Sequence, residues 1–244
     1  MTFRLDHLEI IEVVRPIESG MTQPVLCYLA DDQLYAVKGR QALPAGLIAE
    51  VVAGSLGQLM GLPIPDFAVA DFSRQLADAS ADANLRSTLN IGSNFASRWQ
   101  EAADPITMPS LGMHPPALLA KIFVFDHWVM NGDRTLSEHG GNPNLFVKLD
   151  TNELIVIDHN LAFSPNYNPD ELQFHACRDA WSYMKKSSAF LSECRYLLSH
   201  AIQKLTQIFV ELPDEWVERE SELLIRIDDS LRRFDGTEFW EQLA

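Results

Sequence analysis

The segment that decides the fold runs from residue 130 to residue 160 and reads MNGDRTLSEHGGNPNLFVKLDTNELIVIDHN. It begins as a polar loop that contains Asp133, and it continues into two apolar runs, residues 144–148 and 154–157, joined by a short polar turn. Two such runs with a tight connection predict a β-hairpin. Asp158 follows the second run directly, so the sequence places a carboxylate where the hairpin ends.

The polar side chains around this hairpin suit a divalent cation. Asn144 opens the first strand and Asp158 closes the second, and amide and carboxylate oxygens are ligands for Mg²⁺, which takes few protein oxygens together with substrate phosphates. Asp133, on the preceding loop, can accept a proton from an attacking hydroxyl or orient it. Turn capping by these residues is the structural alternative.

A lysine and a glutamate upstream add to this pattern. Lys38 ends a predicted strand, and the small-residue turn Ser19-Gly20-Met21-Thr22 precedes that strand, so lysine and turn amides can approach the same phosphate oxygens. Glu50 lies twelve positions after Lys38 on a predicted helix that is otherwise rich in Ala, Val, Leu and Gly. A carboxylate buried there needs a partner, and Lys38 is the natural one, although Glu50 could also face water.

The order of elements divides the chain into two parts. Strand patterns at residues 8–14, 24–29 and 33–38 predict an antiparallel meander, and residues 67–72 predict a further strand. Apolar positions at helical spacing predict helices over residues 47–60, 117–130, 196–210 and 216–234. Prolines mark a boundary within residues 96–116, and the Gly- and Ser-containing residues 91–95 lie just before it, a position that suggests a hinge role. We therefore expect an N-terminal lobe over 1–100 and a C-terminal lobe over 101–244.

Composition restricts the partners and the compartment. Thirty-four acidic against nineteen basic residues give a formal net charge of −15, which disfavours nucleic acid and anionic membrane surfaces. The most apolar stretch, residues 43–65, contains Glu50, and inserting that carboxylate into a bilayer would cost about 2.5–3.5 kcal/mol, so no membrane span is expected. The three cysteines lie far apart and predict free thiols in the cytoplasm.

The combined order of a small-residue turn, a strand lysine, a helix glutamate, a loop aspartate, an asparagine and a final aspartate is the order of parts in a kinase. In particular the sequence resembles the HipA-like branch of the protein-kinase-like superfamily, which is also similar to phosphatidylinositol kinases. Besides Glu50, the resemblance rests on residues 35–39 (YAVKG), 59–65 (LMGLPIP), 125–134 (FDHWVMNGDR), 141–146 (GNPNLF) and 156–163 (VIDHNLAF).

The resemblance implies an α+β, two-lobed protein-kinase-like fold with an antiparallel-sheet N-lobe and a mainly helical C-lobe. It implies an enzyme that uses ATP and Mg²⁺, in which Asp133 is the catalytic base and Lys38, paired with Glu50, binds the nucleotide. Ser19, Gly20 and Thr22 would cover the phosphates. Asn144 and Asp158 would be the metal ligands, and Asp126 would brace the catalytic loop.

The sequence leaves the metal ligand, the role of one histidine and the phosphoacceptor open. Protein kinases separate the base and the metal-binding asparagine by four residues, whereas ten lie between Asp133 and Asn144, so Asn142 is an alternative ligand. His159 can line the nucleotide site or be a structural histidine. A Ser/Thr protein kinase is the first reading of the function. A kinase for a small molecule or lipid headgroup, or a pseudokinase that serves as an interaction module, are the alternatives, and the phosphoacceptor is unknown.

Overall fold

The computed structural model describes residues 3–18, 21–79, 87–137 and 139–243. Five strands form a closed barrel in the order β1-β2-β3-β5-β4. Their bounds are β1 His7–Pro16, β2 Val25–Leu29, β3 Leu34–Lys38, β4 Phe67–Phe72 and β5 Gly92–Arg98. Four neighbouring pairs are antiparallel, and the barrel closes through a parallel pairing of β1 with β4.

This barrel differs from the simple antiparallel sheet that the sequence predicts. The parallel β1–β4 pair joins residues about sixty positions apart, from His7 opposite Val69 to Glu9 opposite Asp71, which no local pattern reveals. The hinge prediction for residues 91–95 is wrong, because most of this segment opens β5 between β3 and β4. Gly, Ser and Asn are poor strand formers, and pairing with strands on both sides overrides that weakness.

The helix that carries Glu50, α1, spans Leu43–Leu59 and lies inside the molecule. It begins with Pro44 in its first turn and ends just before Gly61, whose φ of +76° suits glycine. Its residues 46–57 are all buried, because β5 and helices from the C-terminal part pack against it.

Residues 40–59 are long and apolar enough to cross a membrane. However, 72% of the most apolar 18-residue window in this segment is buried within the fold.

The remaining described residues form a largely helical part with a small sheet. The sheet has the order β6-β7-β8, with β6 Ala103–Pro105, β7 Leu145–Lys148 and β8 Leu154–Val156. The predicted hairpin is therefore present as β7 and β8. The helices are α2 Arg74–Ala79, α3 Met108–Leu111, α4 Pro116–Trp128, α5 Arg178–Met184, α6 Ser188–Ile202, α7 Leu205–Val210, α8 Asp214–Val217, α9 Ser221–Leu231 and α10 Thr237–Glu241. Short 3₁₀ helices cover Arg40–Ala42, Pro169–Phe174 and Arg232–Asp235.

Two apolar cores correspond to these two parts. One fills the barrel with inward side chains of alternate strand residues, such as Val25, Cys27 and Leu29 of β2. The other, much larger, surrounds α1 and α4 and continues through the C-terminal helices. Because α1 belongs to the larger core while it also packs on β5, it connects the barrel to the helical part.

Candidate active site

Lys38 lies at the end of β3, where the barrel faces α1 and the β7–β8 hairpin. Its Nζ donates to Glu50 Oε1 at 2.5 Å and to Asp158 Oδ1 at 2.7 Å. Burial by itself would lower the pKa of Lys38, but the charges of Glu50 and Asp158 outweigh burial and raise that pKa above its usual value. We call these three residues the Lys38 cluster; it contains one cation and two carboxylates.

Glu50 is almost fully buried on α1, so its charge needs the partners that the sequence analysis anticipated. Besides Lys38, the backbone N–H of His159 donates to Glu50 Oε2 at 3.0 Å. Burial opposes ionisation, yet the Lys38 ammonium and the contacts with His159 lower the pKa of Glu50 to about 2. Glu50 is thus ionised at neutral pH, and it joins α1 to the residue that follows Asp158.

Asn144 and Asp158 lie together at one end of the β7–β8 hairpin. Leu145 pairs with Val156, and the N–H of Ile157 donates to the carbonyl oxygen of Asn144 at 3.1 Å. Both Asn144 (φ 46°) and Asp158 (φ 63°) adopt the left-handed region that non-glycine residues rarely occupy. Such backbone strain, on the order of 1 kcal/mol or more per residue, is typical of functional sites, where the surrounding structure holds a side chain in one direction.

Asp133 lies on the loop after α4, and two amides hold its carboxylate. Asn142 Nδ2 donates to Asp133 Oδ2 at 2.7 Å, and Asn144 Nδ2 donates to the same oxygen at 2.9 Å. Asn142 is exposed and Asn144 is buried. The structure therefore brings both candidate asparagines to Asp133, and each keeps its amide oxygen for another contact.

The chemistry of these donors fits a hard divalent cation shared with phosphate groups. No cluster of three or more His, Cys, Asp or Glu side chains that could bind a metal occurs in the described parts of the chain. Mg²⁺ does not need one, since it binds through one or two protein oxygens plus substrate oxygens. The Lys38 cluster has a surplus negative charge, and next to it the buried Nε2 of His159 has no hydrogen-bond partner.

Beneath this site a fully buried set of polar residues fixes the loop that carries Asp133. Asp126 Oδ2 accepts from Arg134 Nε at 2.6 Å and lies 2.9 Å from His175 Nε2. Because His175 Nδ1 accepts the N–H of Cys177 at 3.0 Å, the ring is neutral and its Nε2 donates to Asp126. We call Asp126, Arg134 and His175 the Asp126 cluster.

Arg134 extends from this cluster to the hairpin. Its Nη1 donates to the carbonyl oxygens of Pro143 at 3.0 Å and Asn144 at 2.8 Å. One buried guanidinium thus connects α4, the Asp133 loop and the residues that open β7. Burial would raise the pKa of Asp126, but Arg134 and His175 hold it well below its usual range.

The end of α4 is fixed by residues from the C-terminal part. His127 Nε2 donates to the carbonyl oxygen of Phe239 at 3.2 Å, so its Nδ1 accepts the hydroxyl of Tyr167 at 2.7 Å. Burial, together with the charge of Arg233, lowers the pKa of His127 to about 3. Trp128 Nε1 donates to the carbonyl oxygen of Leu231 at 2.8 Å. The base of the Asp133 loop is therefore anchored on two sides.

Five of the residues singled out from the sequence thus lie in two adjoining groups, the Lys38 cluster and the Asp133–Asn144 pair. Thr22 is buried in the connection between β1 and β2 and makes no hydrogen bond to either group. Ser19 and Gly20 lie outside the described residues. Asp126 braces the loop as expected, whereas the roles of Arg134 and His175 escaped the sequence analysis. The only sign of these roles in the sequence is the position of Arg134, which directly follows Asp133 and lies eight residues after Asp126.

Comparison with solved structures identifies the class of this fold. The proinflammatory kinase CtkA of Helicobacter pylori superimposes with a TM-score of 0.55 at 10% identity, over 94% of this chain and 93% of CtkA. HipA of Shewanella oneidensis MR-1, solved with HipB and its operator DNA, gives a TM-score of 0.53 at 9% identity, over 90% of this chain and 65% of HipA. At such identities the likeness concerns the fold, which is kinase-like and mixes helices with strands.

The family follows from the sequence itself. The sequence model of the HipA-like kinase family matches residues 10–243, which include most of the barrel, both clusters and the C-terminal helices. The chain therefore belongs to the HipA-like kinase family, as the resemblance in its motifs predicted. Among curated proteins no sequence matches significantly.

Proposed function

We propose that this chain is an ATP- and Mg²⁺-dependent Ser/Thr protein kinase. The observation that carries the proposal is the Lys38 cluster, in which a strand lysine, a helix glutamate and the aspartate after β8 meet within hydrogen-bond distance. Family membership and the kinase-like fold support the same reading. In this reading residues 1–100 form the lobe that covers the nucleotide, and residues 101–244 form the lobe that carries the catalytic loop.

Lys38 is the proposed phosphate ligand. An ammonium group has three N–H donors, and Glu50 and Asp158 accept two of them, so one is left for a phosphate oxygen. Glu50 keeps the ammonium aimed at the site, and Ser19, Gly20 and Thr22 would cover the phosphates. Asn144 and Asp158 would hold Mg²⁺, with Asn142 as the alternative amide ligand.

The proposed reaction is in-line transfer of the γ-phosphoryl group to a hydroxyl. The hydroxyl oxygen forms a bond to the γ-phosphorus while the bond from that phosphorus to the bridging oxygen of ADP breaks. Asp133 accepts the hydroxyl proton, and the amides of Asn142 and Asn144 keep its carboxylate in place. Mg²⁺ held there would neutralise the charge that develops on the phosphate oxygens.

The acceptor we propose is a Ser or Thr hydroxyl of a protein, this chain included. A net charge of −15 speaks against docking on anionic membrane and against nucleic acid as a direct partner. We also propose that the protein works in the cytoplasm, since Cys27, Cys177 and Cys194 are all free and buried.

The test is transfer from γ-labelled ATP in the presence of Mg²⁺, with labelled protein and released phosphate both measured. We expect Asp133→Ala to reduce transfer by about 10²–10⁴-fold while Mg·ATP still raises its thermal stability, because the base acts on the acceptor and not on nucleotide binding. Asp104→Ala, an exposed aspartate on β6, is the matched control and should behave like the native chain.

Three other outcomes would contradict the proposal in different ways. Turnover that requires an added small molecule or lipid headgroup, with no labelled protein, would replace the protein acceptor. Stabilisation by Mg·ATP without any transfer would indicate a pseudokinase that serves as an interaction module. The absence of both would leave the kinase likeness as a matter of fold alone.

A further inference from the structure

The main chain of Ser93, at the start of β5, is held by two consecutive residues of the C-terminal helical part. The N–H of Ser93 donates to Glu215 Oε1 at 2.7 Å, and Trp216 Nε1 donates to the carbonyl oxygen of Ser93 at 3.3 Å. Glu215 and Trp216 belong to α8, more than a hundred and twenty residues further along the chain. Together they use both polar groups that Ser93 contributes from its main chain.

The neighbouring Gly92 shows how close this contact is. A Cβ built on Gly92 would lie 3.1 Å from each carboxylate oxygen of Glu215, and its φ of +99° also disfavours any side chain. Glycine therefore allows the carboxylate to reach the N–H of Ser93. We call the contacts of Glu215 and Trp216 with Ser93 the latch.

The latch lies beside α1, the helix that carries Glu50. α1 packs on β5 on one side and on α6, α7 and α8 on the other. Trp216 is 2% exposed and belongs to the same apolar core as the buried side chains of α1, including Ile48 and Val52. α1 therefore contacts both of the elements that the latch joins, β5 and α8.

In kinases the lysine–glutamate pair must be assembled for activity, and the position of the glutamate helix is a point of control. From these contacts we propose that Glu215 and Trp216 are positioning residues, which hold α1 and thereby keep Glu50 in contact with Lys38. The effect of these residues on phosphate transfer rests on the proposed kinase function. The latch itself is a property of the fold and can be measured in the absence of turnover.

The test is amide hydrogen exchange on the full chain, followed along α1 and α4. In the double variant Glu215→Ala/Trp216→Phe we expect amides of α1 to exchange roughly tenfold faster or more, because two hydrogen bonds that resist local opening are lost. Amides of α4 should keep their native rates. The matched control Asp228→Ala/Trp240→Phe removes a carboxylate and an indole N–H whose partners, Arg232 and Phe234, lie within the helical part, and it should leave α1 unchanged.

Restoring the acceptor gives a readout that a merely structural role would not give. Glu215→Gln keeps an oxygen that can accept the N–H of Ser93. The amides of α1 should therefore exchange more slowly in Glu215→Gln/Trp216→Phe than in Glu215→Ala/Trp216→Phe. Native rates at α1 in the double variant, or equal acceleration in α1 and α4, would overturn the proposal, and so would a failure of Gln to restore protection.

If the native chain transfers phosphate, the double variant should do so roughly tenfold more slowly at saturating Mg·ATP. A native chain without transfer, but with the expected exchange pattern, would contradict the kinase function and leave the latch intact.

Discussion

The Lys38 cluster and the Asp126 cluster are both built from charged side chains in hydrogen-bond contact, but their charges balance differently. The Lys38 cluster places one ammonium between two carboxylates, and the side chain of Asp158 is 24% exposed. The Asp126 cluster pairs one carboxylate with one guanidinium and a neutral imidazole, and the side chains of Asp126 and Arg134 are 0% exposed. The first is open with surplus negative charge, and the second is closed and neutral.

This difference distinguishes a ligand-binding site, the Lys38 cluster, from a structural brace, the Asp126 cluster. A closed and balanced cluster has its donors and acceptors used by the protein, so it stabilises one conformation and offers nothing to a ligand. The Lys38 cluster is open and has surplus negative charge, and its Asp158 lies at the same end of the hairpin as Asn144. Such a site suits a cation that arrives with its phosphate ligands. The pKa of a carboxylate is depressed in both clusters, so a pKa shift alone would not have told them apart.

Substituting the buried carboxylate should have the largest effect on stability. Asp126→Asn leaves Arg134 as a charge without a counter-ion at 0% exposure, and we expect it to lower the free energy of unfolding by about 3–5 kcal/mol in urea denaturation. Asp228→Asn, which breaks an exposed pair with Arg232, is the matched control and should change the free energy of unfolding far less, because solvent screens that pair. Equal costs for the two variants would mean that the Asp126 cluster is no brace.

The same substitution in the open cluster should have the opposite profile. Asp158→Asn leaves Lys38 paired with Glu50 and removes one of two like charges, so the free energy of unfolding should change by no more than about 1 kcal/mol. Phosphate transfer should nevertheless fall by about a hundredfold or more, because the charge that faces the metal and phosphates is lost. Denaturation and γ-labelled ATP turnover measure the two effects on one preparation. A loss of stability as large as that of Asp126→Asn would remove the distinction between the clusters.

Acid should weaken the helical part before it affects the Lys38 cluster. His127 has a pKa of about 3 in the folded chain against an ordinary value of 6.5, so between these values the unfolded chain binds one more proton and stability falls as the pH falls. Glu50, with a pKa of about 2 against 4.5, adds its own loss only below about pH 4.5. We expect His127 to contribute a slope of about 1.4 kcal/mol per pH unit between pH 6.5 and 4.5.

Denaturation curves at several pH values test this order. His127→Gln keeps a donor for Phe239 and an acceptor for Tyr167 but does not titrate, so it should remove that slope above pH 4.5. Glu50→Gln should leave the slope in this range unchanged. An unaltered slope in His127→Gln would show that another group is responsible for the loss of stability.

The sequence revealed the open cluster better than the closed one, for a physical reason. Lys38, Glu50 and Asp158 each stand at the end of a strand or on an apolar helix, where a polar residue is conspicuous in the local pattern. His175 reaches Asp126 across forty-nine positions, and Arg134 contacts main-chain carbonyl groups, which leave no trace in the side-chain pattern. The same holds for barrel closure, since the β1–β4 pairing and the insertion of β5 depend on long-range contacts and not on strand propensity.

The smallest predicted effect is a difference in Mg²⁺ requirement between variants of Asn142 and Asn144, the two asparagines that contact Asp133. Both donate to Asp133 Oδ2, but only Asn144 is buried, has a left-handed backbone and has its carbonyl oxygen held by Arg134. A fixed amide loses less conformational freedom on binding a metal, so Asn144→Ala should raise the Mg²⁺ concentration for half-maximal transfer by about tenfold or more. Asn142→Ala removes one exposed hydrogen bond and should raise it by about threefold at most. The reverse order would make Asn142 the ligand, whereas equal small effects would mean that both asparagines only hold Asp133. In that last case the brace formed by Arg134 would serve the base alone, and Asp158 would be the single protein ligand of the metal.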